Sequence, residues 1–247
     1  MMEQNVINLL QDKIQIISYN EEQNLSLVGP IKLPVQLDEE VVTFQWYTWL
    51  EIDKTKTKEE LLQSLPSLHL ADYQQSSVLV YGDFKNAEET LIRMHSICHT
   101  GDIFGSKRCD CGFQLKESMR MIVKNGSGAL FYLANHEGRG IGLFTKSLAY
   151  LLQEQGFDTV EANNALDFPD DIRSYGAPIR VLQALRIKEV KLITNNPKKL
   201  KALQELGLAA DENVPLWGDV SIFNEGYLET KVKKSGHIPL KEEPLTI

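Results

Sequence analysis

The sequence predicts a mixed α/β (α+β) fold in which a strand-rich N-terminal region leads into a core of alternating helices and strands. Residues 29–52 are rich in β-branched and aromatic side chains, which favour strands. From residue 88 onward, apolar residues at helical spacing alternate with short apolar runs bounded by turn residues. This alternation is typical of α/β cores. A chain of 247 residues is also long enough to bury a sizeable core.

The N-terminal elements are short or weakly patterned. Residues 1–28 contain one short amphipathic run, VINLLQDKIQII, and two strand-like segments follow, IKLPVQL and VVTFQWYTWLEI. The next segment indicates a short helix and a loop, because Thr57 and Glu60 have the spacing of a capping box. We interpret it as a surface insertion without chemistry of its own, and SSVLVYGDF as the strand that follows it.

The core elements have recognisable ends. The helix DCGFQLKESMRMIVKNG ends at Asn125-Gly126 and the helix LFTKSLAYLLQEQG ends at Gly156, since glycine commonly terminates helices. Between them, GALFYLA is a short apolar run that predicts a buried strand. APIRVLQALRI then predicts a helix, EVKLIT a strand, and NNPKKLKALQELG a helix with Pro197 in its first turn. The remaining C-terminal residues are less regular and are expected to cover part of the core.

Composition excludes several classes of partner. The net charge of -8 provides no basic face for nucleic acid or for an anionic membrane. No stretch approaches the roughly 18 apolar residues of a membrane span, and the N-terminus lacks the basic-then-apolar pattern of a signal peptide. We therefore expect a cytoplasmic protein that binds neither nucleic acid nor membrane.

All three cysteines of the chain, Cys98, Cys109 and Cys111, lie within 14 positions. Clustered cysteines in a chain without a secretory signal favour a metal site or catalysis over a disulfide framework. Zinc takes four tetrahedral ligands, so three thiolates would leave one position for water, as in a catalytic site. A fourth ligand from His95 or His99 would instead give a closed, structural site. The spacing alone leaves both alternatives open.

A glycine-rich loop, NHEGRGIGLF at 135–144, lies between a predicted strand and a predicted helix. Its backbone amides could approach an anion at the helix N-terminus, and Arg139 could supply a fork to a phosphate. The pattern is a weak signal by itself, because glycine-rich turns at such places are often only structural.

Two further segments combine polar residues near turns. Asp171 and Arg173 could face one site if the segment after Pro169 forms a turn, although a solvated surface pair is the simpler interpretation. Thr194 and Lys199 flank the start of the last predicted core helix and could contact a phosphate. A plain helix cap explains them equally well.

Five segments, taken together, resemble GTP cyclohydrolase II, the first committed enzyme of riboflavin synthesis. They are HSICHTGDIFGSKRCDCGFQL, HEGRGIGL, AYLLQEQGFDTVEAN, DDIRSYG and LITNNPKK, and YLETKVKKSGH resembles the C-terminal segment of that family. The resemblance implies a GTP cyclohydrolase II-like catalytic domain at 76–238, after an N-terminal extension of unknown role at 1–75 and before a tail at 239–247. The dihydroxybutanone phosphate synthase domain of bifunctional relatives is not expected in a chain of this length.

The resemblance implies hydrolysis of GTP. C8 of the purine would leave as formate and the outer phosphates as pyrophosphate, giving a diaminopyrimidinone ribosylamino phosphate. Cys98, Cys109 and Cys111 match the zinc ligands of the family, where the fourth position holds the water that attacks C8. The resemblance also implies one zinc ion per chain, magnesium with the GTP phosphates, and a homodimer.

Three residues match positions that carry chemistry in the family. Tyr150 matches a tyrosine near the purine, Asp171 the proposed general base, and Arg173 the residue proposed to attack the α-phosphorus. Because a guanidinium stays protonated far above neutral pH, Arg173 could instead stabilise charge on the phosphate, and both roles stay open here. The positions implied to contact GTP are Arg93, His95, Ser96, Gln114, Glu137, Gly138, Arg139, Thr159, Thr194 and Lys199.

Two residues depart from the family pattern beside the first cysteine. Ile97 stands where the family usually has glutamate, and His99 stands where an apolar residue is expected. These departures leave two alternatives: a homologue with an altered product or pathway (formyl-retaining, pyrimidine-catabolic or antibiotic), and a zinc- and nucleotide-binding module without turnover. The presence of Tyr150 argues against the formyl-retaining branch, and the presence of Asp171 and Arg173 argues against the inactive module.

Overall fold

The computed structural model describes residues 2–208, 213–218 and 220–239. This part of the chain forms one mixed β-sheet with helices against both faces, which confirms the predicted α/β fold class. The strands are β1 (Ile14–Ser18), β2 (Gln23–Leu37), β3 (Glu40–Asp53), β4 (Ser77–Tyr81), β5 (Leu91–Ser96), β6 (Gly128–Leu133) and β7 (Lys191–Leu192). The helices are α1 (Gln4–Gln11), α2 (Lys58–Ser64), α3 (His99–Asp102), α4 (Cys111–Asn125), α5 (Leu143–Glu154), α6 (Thr159–Ala165), α7 (Gly176–Leu185), α8 (Pro197–Gln204) and α9 (Glu225–Lys233).

The sheet has the strand order β1-β2-β3-β4-β6-β5-β7. It is antiparallel from β1 through β4 to β6, whereas β5 runs parallel to β6 on one side and to β7 on the other. β6, the next strand in the chain, therefore lies on one side of β5, and β7, the last strand, lies on the other side. In open α/β sheets, a reversal of this kind opens a crevice at the carboxyl ends of the strands.

The N-terminal region supplies the antiparallel half of the sheet. The amphipathic run VINLLQDKIQII divides into α1 and β1, and Ile7 and Ile14 from these two elements are buried together with Leu62 of α2. The strands predicted at IKLPVQL and VVTFQWYTWLEI lie within β2 and β3. These two strands form a long hairpin whose turn contains Asp38 at a φ of 56°, a conformation that aspartate tolerates. The domain boundary placed near residue 75 stays a prediction.

Alternate residues of the central strands face two separate helical layers. Ile92 and Met94 of β5 belong to the same buried cluster as Leu182 of α7. Leu91 of β5 packs instead with Ile122 of α4, in a second cluster. This division follows from the two-residue period of a strand, which sends successive side chains to opposite faces. β5 is thus fixed from both sides, and so is the loop that follows it.

Most of the predicted helix ends are observed. Thr57 and Glu60 form the predicted capping box of α2, and Gly126 follows α4 in the left-handed conformation. Pro197 begins α8, as predicted. The strand predicted at EVKLIT is shorter than expected, because β7 covers only Lys191–Leu192 and the next residue, Ile193, forms an isolated bridge with Val214.

The C-terminal region contains more regular structure than its sequence pattern suggested. Helix α9 lies within the segment expected to be irregular, and Leu228 on this helix is buried. The predicted tail, 239–247, lies outside the described residues from residue 240 onward. None of the described helices combines the length and the apolar character that crossing a membrane requires.

Candidate active site and metal centre

A cleft opens at the carboxyl ends of β5, β6 and β7, where the strand order reverses. β5 leads into Cys98, β6 leads into the 3-10 turn Ala134–Gly140, and β7 leads into Thr194. Cys109 does not line the cleft but contacts Cys98 beside it. The other sequence-predicted site residues all line the cleft: Arg93, His95, Ser96, Cys98, Cys111, Gln114, Glu137, Gly138, Arg139, Tyr150, Thr159, Asp171, Arg173, Thr194 and Lys199.

The three cysteines form one compact group. The sulfur atoms of Cys98, Cys109 and Cys111 all lie within 4.8 Å of one another, and those of Cys98 and Cys109 are 3.5 Å apart. Gly101 of α3 permits this approach, because a β-carbon at that position would lie 3.0 Å from the Cys109 sulfur. Three thiols at this separation could hold a metal ion, and thiolates suit a borderline-soft ion such as zinc.

Neither His95 nor His99 joins this group among the residues that the structure describes. His95 Nε2 lies 3.1 Å from Asp102 Oδ2, and the ring of His99 packs edge-on against Phe104. The described part of the chain therefore offers three ligands here, which would leave a tetrahedral ion one further position. Of the two alternatives that the sequence leaves open, the arrangement favours the catalytic type of metal site.

The electrostatics of the thiols also fit a metal ion. Hydrogen bonds from Cys109 and Cys111 hold the pKa of the Cys98 thiol far below its ordinary value, and Lys146 adds to this effect. Hydrogen bonds with Cys109 and Cys98, together with burial, raise the pKa of Cys111 well above its ordinary value. Without a metal ion, the three cysteines thus favour a single thiolate. A divalent cation would balance the negative charge of further thiolates and allow all three sulfurs to ionise.

The glycine-rich loop holds Glu137 inside the cleft. Gly138 and Arg139 adopt left-handed φ angles of 60° and 67°, so the chain turns sharply after Glu137. The carboxylate accepts a hydrogen bond from the backbone N–H of His99 (2.7 Å) and forms an ion pair with Lys146 Nζ (2.6 Å). Because Glu137 is almost fully buried, these charge-assisted contacts fix the orientation of its carboxylate.

Asp171 and Arg173 form an ion pair on the cleft wall. Arg173 Nε donates to Asp171 Oδ1 (2.7 Å), and a second guanidinium nitrogen lies 3.2 Å from Ser96 Oγ. Burial lowers the pKa of Arg173, but the hydrogen bond and charge of Asp171 outweigh it and raise the pKa above its ordinary value. Burial likewise raises the pKa of Asp171, but Arg173 lowers it below the ordinary value. Both side chains are therefore charged at neutral pH.

Two further basic side chains are buried in the wall of the cleft. Arg93 donates to the carbonyl oxygen of Ile193 (3.0 Å) and to Oε1 of Gln114. Lys199 Nζ donates to the carbonyl oxygen of Met94 (3.0 Å). Burial, reinforced by the neighbouring arginines, lowers the pKa of Lys199 well below its ordinary value. A bound anion would offset this cost, because it would favour the protonated ammonium.

Several polar atoms of the cleft are buried without a hydrogen-bond partner among the described residues. They are Arg93 Nε, His95 Nδ1 and Asn163 Nδ2. Buried polar atoms normally have partners, so these three atoms are exceptions within the wall of the cleft. Thr194 Oγ1 accepts a hydrogen bond from the backbone N–H of Asn196 (3.0 Å), whereas the cap of α8 is Asn196, whose side chain accepts from the N–H of Lys198 (2.9 Å).

Tyr150 lies close to the thiol group. Its hydroxyl is 3.3 Å from Thr100 Oγ1, which is itself 3.7 Å from the Cys98 sulfur. The guanidinium of Arg108 lies over the tyrosine ring at 4.6 Å, and burial raises the pKa of Tyr150 above its ordinary value. The phenol is therefore protonated at neutral pH and can donate a hydrogen bond.

Ile97 and His99, the two residues expected to depart from the family pattern, both make backbone hydrogen bonds. The N–H of Ile97 donates to the carbonyl oxygen of Leu133 (3.2 Å), and the N–H of His99 donates to Glu137. Any residue except proline can make such contacts. These backbone contacts do not depend on the side chain, whereas the Ile97 side chain also lines the cleft and the His99 ring packs against Phe104.

Sequence reasoning missed three residues of the site. Lys146, one helical turn before Tyr150, lies 3.3 Å from the Cys98 sulfur. A spacing of four residues places two side chains on one face of a helix, and this signal could have found it. Tyr227 and Lys231 of α9 have the same spacing and also line the cleft. Their segment, YLETKVKKSGH, carries part of the resemblance but was assigned no side-chain role.

The fold and the site together define an α/β protein. A group of three cysteines that could hold a metal ion lies at a cleft rich in charged side chains. A family model of GTP cyclohydrolase II matches residues 67–215. The chain belongs to the GTP cyclohydrolase II family. This match confirms the resemblance seen in its motifs and, with it, the predicted enzyme class, a hydrolase.

Curated relatives extend this comparison. The chain is 49% identical over 168 residues to the riboflavin biosynthesis protein RibBA of Bacillus velezensis, a match that covers 68% of this chain and 42% of the relative. Proteins of the same name from Aquifex aeolicus (45% over 170 residues; 69% and 42% covered) and Chlorobium phaeovibrioides (50% over 167 residues; 68% and 40% covered) are similar to a comparable degree. The chain thus spans about two fifths of the length of these relatives.

Proposed function

We propose that this chain catalyses the GTP cyclohydrolase II reaction of riboflavin biosynthesis. GTP is hydrolysed with opening of its imidazole ring, formate and pyrophosphate leave, and a diaminopyrimidinone ribosylamino phosphate remains. The observation that carries the proposal is that the thiol group and the Asp171–Arg173 pair share one cleft. The reaction needs one group of residues at the purine and another at the phosphates, both within reach of one GTP molecule.

Cys98, Cys109 and Cys111 are proposed to hold one zinc ion per chain. Their soft donor atoms suit zinc, and their number leaves a coordination position open. When bound, zinc supplies a Lewis acid that activates water near neutral pH. Tyr150, which reaches Cys98 through Thr100, is proposed to orient the substrate or water at the purine.

Glu137 is proposed to accept hydrogen bonds from the N–H edge of guanine. Its carboxylate is held in place by the His99 N–H and by Lys146, so little conformational entropy is lost when the base binds. Gly138 and Arg139, which turn the chain away from Glu137, are proposed to contact the nucleotide from the same loop.

Arg173 is proposed to stabilise charge on the phosphate rather than to attack phosphorus. Asp171 keeps the guanidinium protonated, and a protonated guanidinium has no lone pair to offer. Asp171, which is ionised, is proposed as the general base. Magnesium is proposed to accompany the triphosphate. The remaining proposed GTP contacts are Arg93, His95, Ser96, Gln114, Thr159, Thr194 and Lys199.

The expected homodimer, cytoplasmic location and absence of nucleic-acid binding stay predictions. Light scattering of the purified protein at several concentrations would measure its mass in solution. A mass of one chain at every concentration would contradict the expected dimer.

The test of the proposed function is incubation of the purified, zinc-loaded protein with GTP. Formate, pyrophosphate and the pyrimidine product are measured separately, with Cys111→Ser as the control that should release no formate. Release of formate and pyrophosphate in equal amounts supports the proposal. Pyrophosphate with a product that retains the formyl group would assign the chain to a different branch of the family, and the absence of any turnover would favour a binding module.

A further inference from the structure

Helix α9 reaches the loop that carries two of the three thiols. Lys231 Nζ lies 2.7 Å from Asp110 Oδ1, and the two side chains are only 12% and 0% exposed. Asp110 lies between Cys109 and Cys111 in the sequence. A cation from the C-terminal helix is therefore paired with the residue at the centre of this loop, across 121 positions of the chain.

The Asp110 side chain is used for tertiary contacts rather than for a helix cap. Asp110 directly precedes α4, at a position where an aspartate usually accepts hydrogen bonds from backbone N–H groups of the helix, but it makes no such bond. Its Oδ2 accepts instead from Gln114 Nε2 (2.6 Å) and from the N–H of Gly218 (3.4 Å). The remaining oxygen is paired with Lys231.

The ammonium group of Lys231 is itself held by aromatic rings. It lies 4.4 Å from the ring centre of Tyr227 and 5.9 Å from that of Trp217, distances at which a cation is attracted to the ring face. The hydroxyl of Tyr227 lies 4.0 Å from the Cys111 sulfur. Lys231 is therefore restrained by two aromatic rings as well as by Asp110, and one of these rings, that of Tyr227, carries the hydroxyl near the Cys111 thiol.

We propose that Lys231 is a positioning residue of the metal centre, which acts through Asp110 to hold Cys109 and Cys111 in the arrangement that binds the metal. The inference rests on the zinc site of the proposed function and extends it to α9, which the family match at 67–215 does not include. Residues that orient metal ligands typically change metal affinity or activity by about 10- to 100-fold when they are replaced.

The experiment measures zinc affinity in the absence of GTP. Zinc-loaded wild-type protein and its variants are titrated with a chromogenic zinc chelator, and the apparent dissociation constant is obtained from the competition. Lys231→Gln is expected to weaken zinc binding about 10- to 100-fold, whereas Lys231→Arg, which keeps the cation, is expected to retain most of the affinity. Lys233→Gln is the matched control on the same helix, because Lys233 is 70% exposed and pairs with Glu229 at the surface.

A second series separates positioning from general stabilisation. Asp110→Asn should weaken zinc binding to a similar degree, and the double variant should be little worse than either single variant, because both changes break one contact. Thermal unfolding of the zinc-loaded proteins is measured in parallel. Wild-type affinity in Lys231→Gln, with or without a lowered unfolding temperature, would overturn the inference. A wild-type protein that binds no zinc would overturn the metal site itself, which is a different result.

Discussion

Lys146 Nζ lies 2.6 Å from Glu137 Oε1 and 3.3 Å from Cys98 Sγ. One buried ammonium group thus joins the glycine-rich loop after β6 to the thiol group after β5. Lys146, which belongs to neither segment, therefore fixes the position of Glu137, the proposed contact to guanine, relative to Cys98, a proposed metal ligand.

Replacing Lys146 with methionine should lower the free energy of unfolding by about 3–5 kcal/mol, because the buried carboxylate of Glu137 loses its counter-charge. Lys201→Met, which removes an exposed ion pair with Glu205, should cost less than about 1 kcal/mol. Denaturant unfolding measures both values. Combining Lys146→Met with Glu137→Gln should recover part of the loss, and equal effects of the two lysine variants would contradict the prediction.

Tyr150→Phe should slow formate release more than it weakens GTP binding, because the change removes the hydroxyl beside Thr100 and leaves the ring in place. Steady-state kinetics and GTP titration measure the two effects. Tyr73→Phe serves as the control, since Tyr73 is 66% exposed, and it should match the wild type. A large rise in KM with an unchanged kcat would instead assign the Tyr150 hydroxyl to binding.

The two centres of the cleft should be separable by mutation. Cys111→Ser should remove zinc and stop formate release, yet leave slow release of pyrophosphate. Arg173→Ala should lower the release of both products by about 100- to 1,000-fold if the phosphorus step comes first, since it removes a donor that stabilises charge. Following formate and pyrophosphate separately tests this order. Normal formate release from Arg173→Ala would show that the order is wrong.

Stability should fall as the pH falls from about 6.5 towards 4. Burial lowers the pKa of His136 from 6.5 to about 4, so the unfolded chain takes up a proton in this range while the folded protein does not. Stability from this group is therefore full above the unfolded pKa and decreases by about 2 kcal/mol between pH 7 and pH 5. Denaturant unfolding at the two pH values measures the loss.

Two variants test whether His136 causes this pH dependence of stability. His136→Gln should reduce the difference in unfolding free energy between pH 7 and pH 5 by about 2 kcal/mol, whatever its effect at pH 7. His69→Gln, which replaces an exposed histidine, is measured as the control. An unchanged difference in the His136 variant would mean that other groups cause the pH dependence.

Local signals in the sequence determined the features that depend on neighbouring residues. The capping box of Thr57 and Glu60 and the glycine after α4 were predictable because each is completed within a few positions of the chain. The thiol group was predictable for a similar reason, since a short excursion separates Cys98 from Cys111. The strand-rich composition and the alternation of helices and strands also predicted the fold class.

The tertiary structure decided which charged groups are buried and paired. No local pattern shows that His95 is bound to Asp102 instead of a metal, or that Lys231 meets Asp110 across the length of the core. The first contact joins β5 to α3 and the second joins α9 to the residue before α4, and only the packing of the chain fixes the distances between these segments. Burial then gives the contacts their strength, because charges removed from water must be satisfied by partners that the fold brings to them.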